Sequence, residues 1–173
     1  MNIKFSRVFP FYLITVIFLF LSCSQVTPEI NQANYSVIFE YDEEMETPAS
    51  RLSIFVESNS DVRRYDRIRI TSLETGYIWD FTEISKMKYE NMEWAGNTNL
   101  VVPENEIIPT GNYEITYFNA DEKETSIYIT VSYDTELYDI AIDDVPDLIK
   151  EKSGICKIVI YNEEKAVIYF GTK

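Results

Sequence analysis

Period-two alternation of apolar and polar side chains runs through most of this chain and confines it to sheets. Val37, Phe39 and Tyr41 share one face of a first strand. Leu52, Ile54 and Val56 alternate with Ser53, Phe55 and Glu57. Arg67-Ile68-Arg69-Ile70-Thr71 puts charge on one side and Ile on the other. Tyr77, Trp79 and Phe81 alternate with Ile78 and Asp80. Tyr113, Ile115 and Tyr117 repeat the pattern, as do Ile127, Ile129, Val131 and Tyr133. Alternation of this kind marks antiparallel strands with one buried and one wet face. The breaks carry turn chemistry: Glu74-Thr75-Gly76, and the charged run Asn119 to Glu124. Gly reaches positive φ at no steric cost. Strands at this spacing predict an all-β, antiparallel sandwich or barrel over residues 35–134.

Composition agrees with an ordered fold. The 173 residues include 13 Tyr and 10 Phe. A disordered chain lacks such apolar surface. A formal net charge of −14 argues against nucleic acid, because phosphate binding needs clustered Lys and Arg. With 0 His, the chain has no His-based triad, proton shuttle or metal ligand. Neither a nucleophile elbow, a zinc-protease helix motif nor a phosphate-binding loop motif occurs. No cofactor is implied.

The first residues read as an address. Lys4 and Arg7 precede an uncharged run from Val8 to Leu21. As a helix that run reaches about 21 Å, short of a ~30 Å hydrocarbon core. It fits the apolar region of a signal peptide. Phe20-Leu21-Ser22-Cys23 closes it, followed by Ser24-Gln25. A basic start, an apolar run, a small residue and Cys resemble the signal of bacterial lipoproteins, in the relaxed form seen in spirochaetes. The resemblance implies cleavage before Cys23, a diacylglyceryl group on its thiol, and attachment to a membrane of the cell envelope, the outer ahead of the inner. A second acyl chain makes such anchoring stable, at ~0.8 kcal/mol per buried CH₂. Residues 1–22 are then the signal peptide and 23–34 a polar tether. Cys156 is left without a partner, in an apolar run where a buried thiol behaves as a small hydrophobe.

Ile107-Ile108-Pro109-Thr110-Gly111-Asn112-Tyr113 precedes a strong strand. An apolar residue, Pro, Gly and then Tyr at a strand entry resemble the corner before strand F of immunoglobulin-like and fibronectin type III domains. That resemblance implies a Tyr113 hydroxyl bonded to loop backbone. The alternative is an ordinary turn. Trp79 and Trp94 read as core, unless they are exposed for carbohydrate stacking. Ile84 to Ala95 stays open. Ile84, Met87, Met92 and Ala95 approximate a helical face, yet the segment also suits an irregular strand. Leu100 to Pro103 suggests another short strand.

Residues 135–173 differ. Asp143-Asp144-Val145-Pro146 opens a short helix with acidic caps, and Gly154 is a candidate stop. Ile155 to Tyr161 and Ala166 to Phe170 form a hairpin. This tail either packs on the sandwich or extends a sheet. Two acidic groups, Asp139 with Asp143, Asp144 and Asp147, and Asp42 with Glu43, Glu44 and Glu46, raise Ca²⁺. Neither has calcium-loop spacing, so capping and a solvated loop are the plainer readings.

These features predict a non-enzymatic, lipid-anchored envelope protein with a protein partner. An outward-facing adhesin for a host ligand and a carboxylate-dependent hydrolase are the alternatives.

Overall fold

The computed structural model describes residues 28–45, 47–59, 65–103, 106–151, 156–162 and 164–172. In chain order its strands are β1 (Ile30–Asp42), β2 (Ala49–Ser58), β3 (Tyr65–Ser72), β4 (Ile78–Phe81), β5 (Ser85–Tyr89), β6 (Met92–Val101), β7 (Gly111–Asn119), β8 (Glu124–Val131), β9 (Cys156–Tyr161) and β10 (Val167–Thr172). They form two sheets. The larger runs β10-β9-β1-β2-β6-β5 and the smaller β4-β3-β7-β8. The architecture is mostly β, and one sheet curls into a half-barrel. Among the described residues, no helix is long and apolar enough to cross a membrane.

The alternation explains the core. Val37, Phe39, Leu52, Ile54 and Val56 leave the larger sheet on one face, and Ile68, Ile70, Tyr113, Ile115 and Tyr117 leave the smaller. All ten are at most 1% exposed. Burial of each is worth roughly 1.5–3 kcal/mol, against about 0–1 for a surface ion pair. Hydrogen bonds between described residues also cross between the sheets. The Tyr35 hydroxyl donates to the Thr130 carbonyl at 2.8 Å, and the Trp79 indole N–H to the Val101 carbonyl at 2.7 Å.

The structure departs from the alternation at four places. β1 begins at Ile30, inside the stretch read as tether, and pairs with β2 from Ser58 onward. Polar residues there carry no periodic signal; backbone pairing and the packing of Ile30 and Ala33 against the core hold them. Ile84 to Ala95 holds a hairpin, not a helix. Glu90 and Asn91 sit at φ 50° and 64°, the left-handed pair of a two-residue turn between strands. β6 then runs unbroken through Gly96 to Val101, with a register shift near Asn97. Tyr133 lies beyond β8 and packs edge-on against Phe39, ring centres 5.1 Å apart.

The tail extends the larger sheet instead of lying across a face. β9 pairs with β1 in parallel, Val37 opposite Cys156, so the sheet is mixed where an antiparallel one was expected. Ahead of it come α1 (Glu136–Asp139), a 3-10 turn (Ile142–Asp144) and α2 (Val145–Glu151). Leu137 and Val145 anchor this segment in the core. The signal segment with Cys23, and likewise Glu46 and Gly154, lie outside the described residues.

Candidate functional site: a groove on the larger sheet

Cross-strand partners share a face. In the larger sheet Ser36 opposes Ser53, Asn34 opposes Phe55, and Ile38 opposes Lys157. On the far side, Trp94 stands opposite Met87, and Met92 opposite Tyr89. All of these point away from the core, onto the phase that alternation assigns to water. Yet Ser36, Ile38 and Ser53 are each 6% exposed and Trp94 7%. Ile38, Trp94 and Val159 are buried without belonging to the core cluster. A flat sheet leaves such side chains wet. Their burial marks this sheet as the curled one.

The curl encloses a groove of about 550 Å³. This lies within the roughly 300–1,000 Å³ span of small-molecule sites. Phe55, Met87, Tyr89, Met92 and Trp94 give it apolar and aromatic walls, and Gln32, Asn34, Ser36, Ser53 and Thr98 give neutral polar groups. Its charges are one carboxylate, Glu90, and one ammonium, Lys157. The Gln32 amide N–H rests on the Met92 sulfur at 3.2 Å. Sulfur is a weak acceptor. The Trp94 indole N–H is buried and has no hydrogen-bond partner. Comparison with protein-family models, curated proteins and solved structures finds no match to this chain.

Gly96 lies on β6 between the groove residues Trp94 and Thr98. A Cβ there would lie 1.9 Å from the Ile54 carbonyl oxygen, so the β2 and β6 backbones approach as only Gly permits. The opposite face of the molecule is satisfied within itself. Arg69 makes two hydrogen bonds to Asp80, at 2.8 and 2.6 Å, and the Arg67 guanidinium lies 4.0 Å from the Phe118 ring centre.

The residues singled out from the sequence are not brought together. Trp94 lines the groove. Trp79 sits half-buried on β4, stacked on Tyr113 with ring centres 6.2 Å apart. Tyr113 is fully buried, and its hydroxyl donates to the Pro109 carbonyl. Burial pushes that hydroxyl well above the usual Tyr range.

Asp139 ends α1 beside an open concavity of about 330 Å³ that Glu136 also lines. Asp143 and Asp144 lie in the 3-10 turn, and Asp147 in α2. Among the described residues no three acidic, Cys or His side chains gather as a metal site. Asp42 and Glu44 share the Lys165 ammonium at 2.6 and 2.8 Å, which ties the β9–β10 turn to the end of β1. Hydrogen bonding from Lys165 holds the Asp42 carboxyl below the usual carboxylate range. The Cys156 thiol is buried, and burial pushes it up to about 11.

Apart from Trp94, sequence reasoning missed the groove residues on β1, β2, β5 and β6. One signal was available: Phe55 is a large apolar residue on the polar phase of β2.

Proposed function

We propose that the chain is a lipid-anchored binding module of the bacterial envelope, holding its partner without chemistry in the groove of the larger sheet. The groove carries the reading. It combines aromatic walls, neutral polar groups and one unpaired buried donor. Hydrolysis by paired carboxylates needs two acids about 5–10 Å apart across one bond, and the groove offers Glu90 alone.

An immunoglobulin-like sandwich is the scaffold we assign. The order β1-β2-β6-β5 facing β4-β3-β7-β8 supports it, because it parallels strands A-B-E-D facing C′-C-F-G. Tyr113 at the entry to β7, bonded to backbone four residues upstream, supports it further. β9 and β10 are then an addition beside the first strand. The anchor rests on Lys4, Arg7, the apolar run and Cys23.

Cells grown with a palmitate analogue test the anchor. Wild type takes up label and fractionates with the envelope, and Cys23→Ala does neither. An unlabelled wild type, or a labelled variant, overturns it. Crosslinking in the native envelope tests the groove. Tyr89→Lys, at an exposed position, abolishes the wild-type adduct. An adduct of undiminished yield overturns the groove as the binding site.

A further inference from the structure

The groove's lining discriminates among classes of occupant. A charged polymer would find one cation and one anion there, on a chain of net charge −14. An acyl chain would strip water from Gln32, Asn34 and Thr98 and return no hydrogen bond. A sugar ring offers what both lack, an apolar C–H face and a rim of hydroxyls that donate and accept.

The side chains divide the same way. Tyr89 is 57% exposed and Met87 45%, so both present apolar surface at the groove's edge. A Tyr ring supplies such a platform with little conformational entropy to lose. The Gln32 side-chain amide donates to the Met92 sulfur, a bond that a hydroxyl oxygen can replace at little cost. The Trp94 N–H has given up water and gained nothing, which is costly to leave unmade. Met92 is unbranched and flexible enough to move aside for an acceptor.

Resting on the groove as the binding site, we infer that it takes a neutral oligosaccharide segment. One ring lies on Tyr89 and Met87. Its hydroxyls meet Gln32 and Asn34, and a hydroxyl oxygen accepts from the Trp94 indole.

The two tryptophans provide the test. Trp79 already donates to Val101, so its indole N–H is an internal control. The full chain, labelled with ¹⁵N-tryptophan in a zwitterionic detergent, is titrated with maltotriose, cellotriose, chitotriose and mannotriose. A hyaluronan tetrasaccharide serves as the acidic comparison. Titration runs to about 10 mM, enough to fill a site of ~1 mM Kd. Trp94→Phe assigns the two indole signals.

The expected result is a saturable shift of the Trp94 signal with at least one neutral trisaccharide. The Trp79 signal stays still, and Tyr89→Ala weakens binding at least tenfold. Silence with every neutral sugar, movement with the acidic sugar alone, or undiminished binding in Tyr89→Ala overturns the inference. Silence combined with loss of the envelope crosslink in Tyr89→Lys removes the sugar and leaves the binding site. An undiminished crosslink removes the site itself.

Discussion

The hydroxyl of Tyr113 donates to the carbonyl of Pro109, four residues upstream, at 2.6 Å. This bond pins the loop that carries the chain from β6 in the larger sheet to β7 in the smaller. Ile108 in the same loop is fully buried, and its N–H donates to the Ser50 hydroxyl at 3.0 Å. Its carbonyl accepts from the Tyr133 hydroxyl. The crossover is therefore held by side-chain hydroxyls from β7, β2 and the segment after β8.

Replacing Tyr113 by Phe keeps the ring against Trp79 and strands the Pro109 carbonyl. The expected loss is about 1–2 kcal/mol, because an acceptor left unpaired forfeits its water as well as its bond. Urea unfolding of wild type and Tyr113→Phe measures it. An unchanged midpoint would sink this account of the corner.

Gly96→Ala forces a methyl into the β2 backbone at Ile54. Overpacking of this kind costs about 1–3 kcal/mol, with the upper end expected because the obstacle is backbone. A melting temperature equal to that of wild type would contradict the close approach.

Trp79→Phe and Trp94→Phe should part company. The first loses the bond to the Val101 carbonyl and costs about 0.5–1.5 kcal/mol beyond the lost volume. The second removes a donor that has no partner, so relief of that burial offsets part of the lost volume. The smaller destabilisation belongs to Trp94→Phe. The reverse order in denaturant midpoints would show that the indole of Trp94 is satisfied in solution.

Alkaline pH should loosen the fold. Burial raises Cys156 from 9.0 to about 11, and Tyr65 and Tyr133 from 10.0 to about 12. These groups bind protons more tightly folded than unfolded. Their contribution is whole below about pH 9 and drains away between pH 9 and 12. Stability measured against pH should be level near neutrality with respect to these groups and fall above pH 9. The same burial predicts that a thiol reagent at pH 8 reaches Cys156 only on unfolding. Rapid modification of the folded protein would refute it.

Much of this architecture is legible in residue order. Arg67 to Thr71 alternates so cleanly that β3 could lie nowhere else, and Pro109, Gly111 and Tyr113 mark the corner. The β5–β6 hairpin was harder to see. Glu90-Asn91 adopts a turn that usually advertises itself with Gly, and Ile84, Met87, Met92 and Ala95 happen to mimic a helical stripe. The groove is hidden for a different reason. Alternation says which side of a sheet Ser36, Ile38 and Ser53 face, but not that the sheet bends enough to cover them. Curvature arises from the sum of many pairings, and no short window of residues encodes it.

β1 finds its parallel neighbour in β9, a strand synthesised almost at the end of the described chain. Until translation has passed Tyr161, β1 has a bare flank of unpaired amides and carbonyls, the kind of surface that recruits wrong neighbours. Contacts so distant in sequence also form late and slowly. A nascent chain of this protein is therefore most vulnerable just before β9 and β10 emerge, and anything that shields that flank in the meantime governs how much of it reaches the native state.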